Sequence, residues 1–358
     1  MSDGQKDPIT RLVDRTVTTV KRTARGVHNG LLHYARMDRP PLASTPRDTV
    51  WQRDKVELWR YRSDARRGGP PLILVHSLVN RSYIFDLVPG NSVVEVLLAR
   101  GVDVYLVEWG IPDAADAENG LETYSDYYLP EIVRVATELS GAESANVLGY
   151  CFGGVLALLY AAAHPDAPIN TLIALATPVD STKLPTQLRA GGGAFDPELV
   201  IDESGNVPGN VIGNAIRSLT PVAEFSANVN LLANLWNDEY VAAHNAITMW
   251  GNDQIPFAGR AFRQTVRLMG QDNGFMTGRL ELGGRSISLD DIRVPFLNVF
   301  GTKDHIVPAD ATRPLSGLLG SPDVTDLELN AGHVGLFIGR TAHRHGVPAM
   351  VDWIDQHS

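Results

Sequence analysis

The segment ANVLGYCFGGVLALLYAAA, Ala145 to Ala163, decides the fold. Its first residues form a short apolar run suited to a buried strand, and its last ten suit a helix. Between them Gly149-Tyr150-Cys151-Phe152-Gly153 has the form glycine, any residue, nucleophile, any residue, glycine. A chain passing directly from strand to helix must turn so sharply that the central residue takes a strained backbone conformation. Side chains two positions before and after it would collide, so Gly149 and Gly153 meet a steric need. The turn projects the Cys151 thiol outward. It also aims the N-terminus of the following helix at the sulfur, where free N–H groups and the helix dipole favour a thiolate and a developing oxyanion. A lone buried cysteine is ordinarily inert. Glycines at both spacings, with the right element on each side, favour a nucleophile here.

Outward from this corner the chain alternates strands and helices. Upstream, KVELWRYR (55–62), PLILVHS (71–77) and VDVYLVEW (102–109) read as strands, while SVVEVLLARG (92–101) and TYSDYYLPEIVRVATELSG (123–141) read as helices. NTLIALATPVD (170–180) follows as a strand. Such alternation implies an α/β fold, a mostly parallel sheet with helices on both faces. The pattern breaks over 181–290, which holds short helical stretches such as NLLANLW (230–236) and GRAFRQTVRLM (259–269), and resumes with VPFLNVFG (294–301) and DLELNAGH (326–333). The expected organisation is a core of 49–180 and 291–358 interrupted by a helical cap at 181–290. Before it stands an extension over 1–48. There a helix from Asp7 to about Arg39 carries Ile9, Leu12, Val13, Val17 and Val20 at roughly helical spacing, followed by a connector with Pro40, Pro41 and Pro46. The simplest reading packs that helix on the body; the alternative is a helix that docks on a partner or a granule surface.

The corner predicts two further residues downstream, an acid and then a histidine. Strand 294–301 delivers Asp304 and strand 326–329 delivers His333, each in a loop just past a strand end. In the expected division of labour, His333 takes the thiol proton and Asp304 orients the imidazole. The backbone N–H of Phe152 is one oxyanion donor, and Leu78 or Val79, in the loop after strand 71–77, supplies the other. A thiol nucleophile suits acyl exchange with a pantetheine thioester, where a serine would suit ester hydrolysis.

Composition narrows the class. With 31 Lys and Arg against 41 Asp and Glu, the formal charge of −10 excludes the basic footprint of a nucleic-acid binder. The single cysteine rules out an intrachain disulfide and any cysteine-rich metal site; neither a metal nor a cofactor is expected. The polar opening MSDGQKDP is not a secretory signal, and no apolar run of about 18 residues predicts a membrane span. A cytoplasmic location is expected.

Several motifs together resemble the polyhydroxyalkanoate synthase family, over about residues 70–355. Gly149-Tyr150-Cys151-Phe152-Gly153-Gly154 is similar to that family's lipase-like box, with cysteine in place of serine. Leu78–Asp113, Thr177–Asp180, Gly301–Pro308 and Ala331–Gly339 resemble its core, acid and histidine segments in the expected order. The resemblance implies an α/β-hydrolase fold and an enzyme that polymerises (R)-3-hydroxyacyl-CoA, the coenzyme arriving with the substrate and the growing polyester held on Cys151. It implies a supporting position for His305, a short form that works with a second, non-catalytic subunit, a homodimer, and location at the polyester granule. Its length is that expected of the short type, without the long N-terminal domain of the larger synthases, and Trp250–Pro256 departs in spacing from the family's Trp-x-x-Asp region. Trp236, Trp250 and Phe257 are candidates for an acyl tunnel. Two rival functions remain. One is a thioesterase or intracellular polyester depolymerase using the same three residues; the other is a non-catalytic, granule-associated scaffold.

Overall fold

The computed structural model describes residues 8–34, 40–186, 195–219, 230–339 and 341–358. Its centre is an eight-stranded sheet in the order β1-β2-β4-β3-β5-β6-β11-β12. In chain order these are β1 (Arg47–Arg53), β2 (Val56–Tyr61), β3 (Leu72–Val75), β4 (Val104–Glu108), β5 (Ala145–Tyr150) and β6 (Ile169–Leu175). After four short strands, β7 (Asn206–Val207), β8 (Phe257–Ala258), β9 (Leu280–Leu282) and β10 (Arg285–Ile287), come β11 (Phe296–Gly301) and β12 (Val324–Leu329). Only β2 runs against its neighbours; β4, β3, β5, β6, β11 and β12 pair in parallel.

Parallel strands buried on both faces read as continuous apolar runs, and β3 (LILV) is fully buried along its length. Successive residues serve opposite layers. Ile73 and Val75 join Val147 and Val107 in one core, while Leu72 and Leu74 join Leu148 and Leu106 in the other. The first core is closed by the helices α3 (Leu129–Ser140) and α4 (Phe152–Ala163), the second by α2 (Val93–Ala99) and the C-terminal helix Val347–Gln356. Each such buried aliphatic side chain contributes about 1.5–3 kcal/mol relative to exposure. This two-sided burial makes the sheet rigid, and the strand ends that precede Cys151, Asp304 and His333 all belong to it.

The sequence missed β1. Its RDTVWQR mixes charged and half-buried positions because it is an edge strand, and it carries a register irregularity between Thr49 and Trp51. The N-terminal helix α1 spans Pro8–Tyr34; residues 35–39 of the expected helix lie outside the described residues. Val17 and Val20, read as packing residues, are exposed at 46% and 62%. The contacts to the body run along the other side, through Arg25, Asn29 and their partner Asp238. The helix does lie against the body, through these residues and not through Val17 and Val20. Among the described residues no helix is long and apolar enough to cross a membrane.

Candidate active site

Cys151 stands between the last residue of β5 and the first of α4 with φ 52° and ψ −118°, a region that non-glycine residues seldom occupy. The packing that holds this strain is visible at the flanking glycines. A Cβ on Gly149 would lie 2.5 Å from the Gly154 Cα, and one on Gly153 would overlap the Val75 carbonyl oxygen at the end of β3. Gly149 therefore lets the strand pass under the start of the helix, while Gly153 lets the helix sit directly on β3. The Cys151 N–H donates to the Leu175 carbonyl (2.8 Å), which ties the corner to β6. The thiol is half-buried and borders both cores, so it is presented at the corner rather than sunk among aliphatic side chains.

β11 ends at Gly301, and the loop after it turns Asp304 inward until it is buried. One carboxylate oxygen, Oδ1, accepts the N–H groups of Ile306 (2.9 Å) and Val307 (2.8 Å); the other, Oδ2, lies 2.7 Å from His333 Nδ1. His333 comes from the loop after β12 and is also buried. Burial works against a charged imidazole. Asp304 and Cys151 outweigh it through charge and hydrogen bonding to the ring, and they lift the His333 pKa to about 10. With Nδ1 engaged by the carboxylate, Nε2 is the ring atom left for proton exchange.

The sheet thus gathers Cys151, His333 and Asp304 from three separate strand ends. Phe152, as the first residue of α4, has one of the leading N–H groups that lack an acceptor within the helix. Leu78 and Val79 lie just past β3, on which Gly153 packs. The Val79 carbonyl accepts the Ile255 N–H (3.2 Å), so this loop is pinned to the 181–290 segment.

The three aromatic candidates fare differently. Phe257 is buried edge-on against Phe152, 5.5 Å between ring centres, beside the nucleophile corner. Trp250 is buried one step away, its Nε1 donating to the Arg81 carbonyl (2.8 Å). Trp236 is 37% exposed and lies under the Arg22 guanidinium of α1 at 4.2 Å, which places it in the contact between α1 and the body. His305 is exposed, and the bonds that fix Asp304 come instead from the backbone of Ile306 and Val307.

Two residues escaped the sequence reading. Tyr150 packs against the His333 ring at 5.0 Å, with Phe337 4.1 Å away on another side. Its hydroxyl is buried with no hydrogen-bond partner among the described residues. The second is His76, wholly buried beneath the corner, where burial above all pushes its pKa down to about 4 and keeps it neutral. Both positions alternate with recognised ones along a strand or loop. Only their contacts distinguish them from plain core.

Comparison with known proteins bears on this arrangement. Residues 70–339 match a family model described as alpha/beta hydrolase fold. The poly(3-hydroxyalkanoate) polymerase subunit PhaC of Allochromatium vinosum is 34% identical over 98% of this chain and 99% of its own length. The chain belongs to the poly(3-hydroxyalkanoate) polymerase family. The subunit of the same name from Synechocystis is 32% identical to this family member, over 87% of this chain and 85% of that protein. Among solved structures, a thermophilic esterase from Thermogutta terrifontis superposes with a TM-score of 0.52 at 15% identity, over 87% of this chain and 99% of that one. That likeness is one of fold alone. It accords with the eight-stranded, mostly parallel sheet described above.

Proposed function

We propose that this chain is a poly(3-hydroxyalkanoate) synthase that joins (R)-3-hydroxyacyl groups from coenzyme A thioesters through an acyl-Cys151 intermediate. The observation that carries the reading is the strained, half-buried thiol at the strand-to-helix corner, with a buried imidazole–carboxylate pair beside it. A cysteine in this place suits exchange between thioesters, because donor and acceptor acyl–sulfur states are close in energy.

In the first half-reaction the thiol proton already rests on His333 Nε2, as the raised imidazole pKa favours, and the Cys151 thiolate Sγ attacks the thioester carbonyl. The oxyanion is received by the Phe152 N–H and an N–H of the Leu78–Val79 loop. The C–S bond to coenzyme A breaks, and the leaving thiolate takes the proton back from His333. In the second, the hydroxyl of a further hydroxyacyl-CoA gives its proton to His333 and attacks the acyl-cysteine carbonyl. The Cys151–acyl bond breaks and the chain grows by one ester. The elongated thioester then reloads Cys151 and releases coenzyme A. Asp304 serves both halves by holding Nδ1 protonated and stabilising the imidazolium. Phe257, packed on Phe152, lines the path of the acyl group.

A water molecule in place of the hydroxyl would make the same residues a thioesterase or depolymerase. Incubation with (R)-3-hydroxybutyryl-CoA separates the readings. Insoluble polymer forming alongside coenzyme A release supports the synthase; stoichiometric free 3-hydroxybutyrate without polymer rejects it. A scaffold would release no coenzyme A and would be indifferent to Cys151→Ala. The working site of such an enzyme is the cytoplasmic polyester granule, alone, as a dimer, or with a second subunit.

A further inference from the structure

The loop after β3 is held from the sheet side by two neighbouring residues at the end of β4. The two strands are adjacent and parallel, so both chains leave the sheet at the same end. Trp109, directly after β4, donates its Nε1–H to the His76 carbonyl (2.9 Å), where the loop begins. Glu108, the last residue of β4, grips the other end of the loop. Its Oε2 accepts the Ser82 hydroxyl, while its Oε1 accepts the Gly110 N–H (3.3 Å) and lies 3.5 Å from Arg81 Nε. Between the two grips stand Leu78 and Val79, whose N–H groups have no acceptor among the described residues. Donors that are fixed in place but unoccupied are what a developing oxyanion needs.

Glu108 is a costly residue for this position. It is 5% exposed, and its ion pair with Arg81 is made through a single nitrogen at 3.5 Å. So loose a buried pair contributes little to stability. Glu57, directly opposite in the β2–β4 ladder, adds a second acid and no counter-charge. What the carboxylate does supply is direction, because it orients Ser82 and Arg81 together. The remaining bonds to the loop come from the cap segment, where the Ile255 N–H and Trp250 Nε1 donate to the Val79 and Arg81 carbonyls. Without Glu108, the Arg81 end would be held from the cap side alone.

We propose that Glu108 is a positioning residue for acyl transfer: through Ser82 and Arg81 it fixes the loop so that the Leu78 and Val79 N–H groups meet the oxyanion formed at Cys151. This rests on the oxyanion role proposed above for that loop, and not on which acceptor completes the reaction. Among the described residues Glu108 makes no hydrogen bond or ion pair to Cys151, Asp304 or His333. Its effect on them passes through the loop.

The test compares the native protein with Glu108→Gln and Ser82→Ala. The second deletes one hydroxyl and leaves the carboxylate in place, so a folding defect in the first does not remove the test. Two reactions of the same sulfur are followed. Coenzyme A release from (R)-3-hydroxybutyryl-CoA passes through an oxyanion, whereas alkylation of Cys151 by iodoacetamide needs the thiolate and forms none. Misplacing a group by about 1 Å can cost about 10²-fold in rate. Glu108→Gln should therefore lower kcat by about 10- to 100-fold and Ser82→Ala by about three- to tenfold, with KM within about threefold and alkylation within about twofold of native. Native kcat in both variants, or alkylation that falls in step with turnover, overturns the proposal. Polymer from the native protein alongside an unimpaired Glu108→Gln removes the positioning role alone. Coenzyme A release without polymer, slowed by Glu108→Gln, removes the synthase reading and leaves the positioning role standing.

Discussion

Replacing Asp304 by asparagine changes one atom of the site and tests how its charge is used. In the native arrangement Oδ1 is held by the Ile306 and Val307 N–H groups, so Oδ2 alone faces His333 Nδ1 at 2.7 Å. Asparagine would keep its oxygen on those two donors and turn its amide NH2 toward Nδ1. The ring would then carry its proton on Nε2, where it could no longer accept one from Cys151 or from an incoming hydroxyl. A wrong-tautomer substitution of this kind costs about 10³- to 10⁴-fold in turnover, or about 4–5.5 kcal/mol of transition-state stabilisation. Coenzyme A release from (R)-3-hydroxybutyryl-CoA, followed with a thiol reagent, measures it. The loss of charge has a second consequence. With a folded-state pKa of about 10 against an ordinary 6.5, the protonated imidazole contributes stability that is complete below about pH 6.5 and lost as pH rises through about 10. The melting temperature of the native protein should fall across that window from this group, and Asp304→Asn should lack that component. Turnover within tenfold of native, or an unaltered pH dependence of stability, would refute the argument.

Three other outcomes follow from the same geometry. Cys151→Ser should reduce coenzyme A release nearly as far as Cys151→Ala, because a hydroxyl is far less acidic than a thiol; comparable turnover by the serine variant would remove the thiolate from the account. Gly153→Ala places a methyl group against the backbone of Val75 and His76, a clash with no flexible neighbour to yield, so thermal unfolding should report a loss of about 3 kcal/mol or more. Tyr150→Phe should preserve turnover, since the hydroxyl has no partner among the described residues. Tyr150→Ala should lower kcat more than it raises KM by freeing the His333 ring it packs against; unchanged kcat for the alanine variant would reduce Tyr150 to filler.

What the sequence makes legible is whatever has a local steric cause. The corner at Cys151 is readable because its glycines answer clashes within a few residues, and β3, β5 and β11 because two-sided burial leaves no charged residue in them. Asp304 and His333 are readable from their place after strand ends. The failures share a long-range cause. β1 is an edge strand, and the connector before it is held by Asp86, which accepts from the N–H and hydroxyl of Thr45 some forty residues away in sequence. Nothing near Thr45 announces that. Trp236 looked like tunnel lining because aromatic residues in a cap are ambiguous until their neighbours are known, and its neighbour is Arg22 of α1. His305 drew attention by standing next to Asp304, but a side chain one residue along points elsewhere. The apolar spacing of α1 announces a helix with two unlike sides, and only the fold reveals which side is occupied.

The central claim is that a growing acyl chain is carried on one sulfur atom. The direct measurement is mass analysis of the protein quenched in acid during turnover of (R)-3-hydroxybutyryl-CoA, followed by peptide mapping. The account predicts hydroxybutyryl oligomers attached to the peptide containing Cys151, removed by hydroxylamine, and absent from Cys151→Ala. Polymer formation with no acyl group on that peptide, or with the acyl group on another residue, would contradict it.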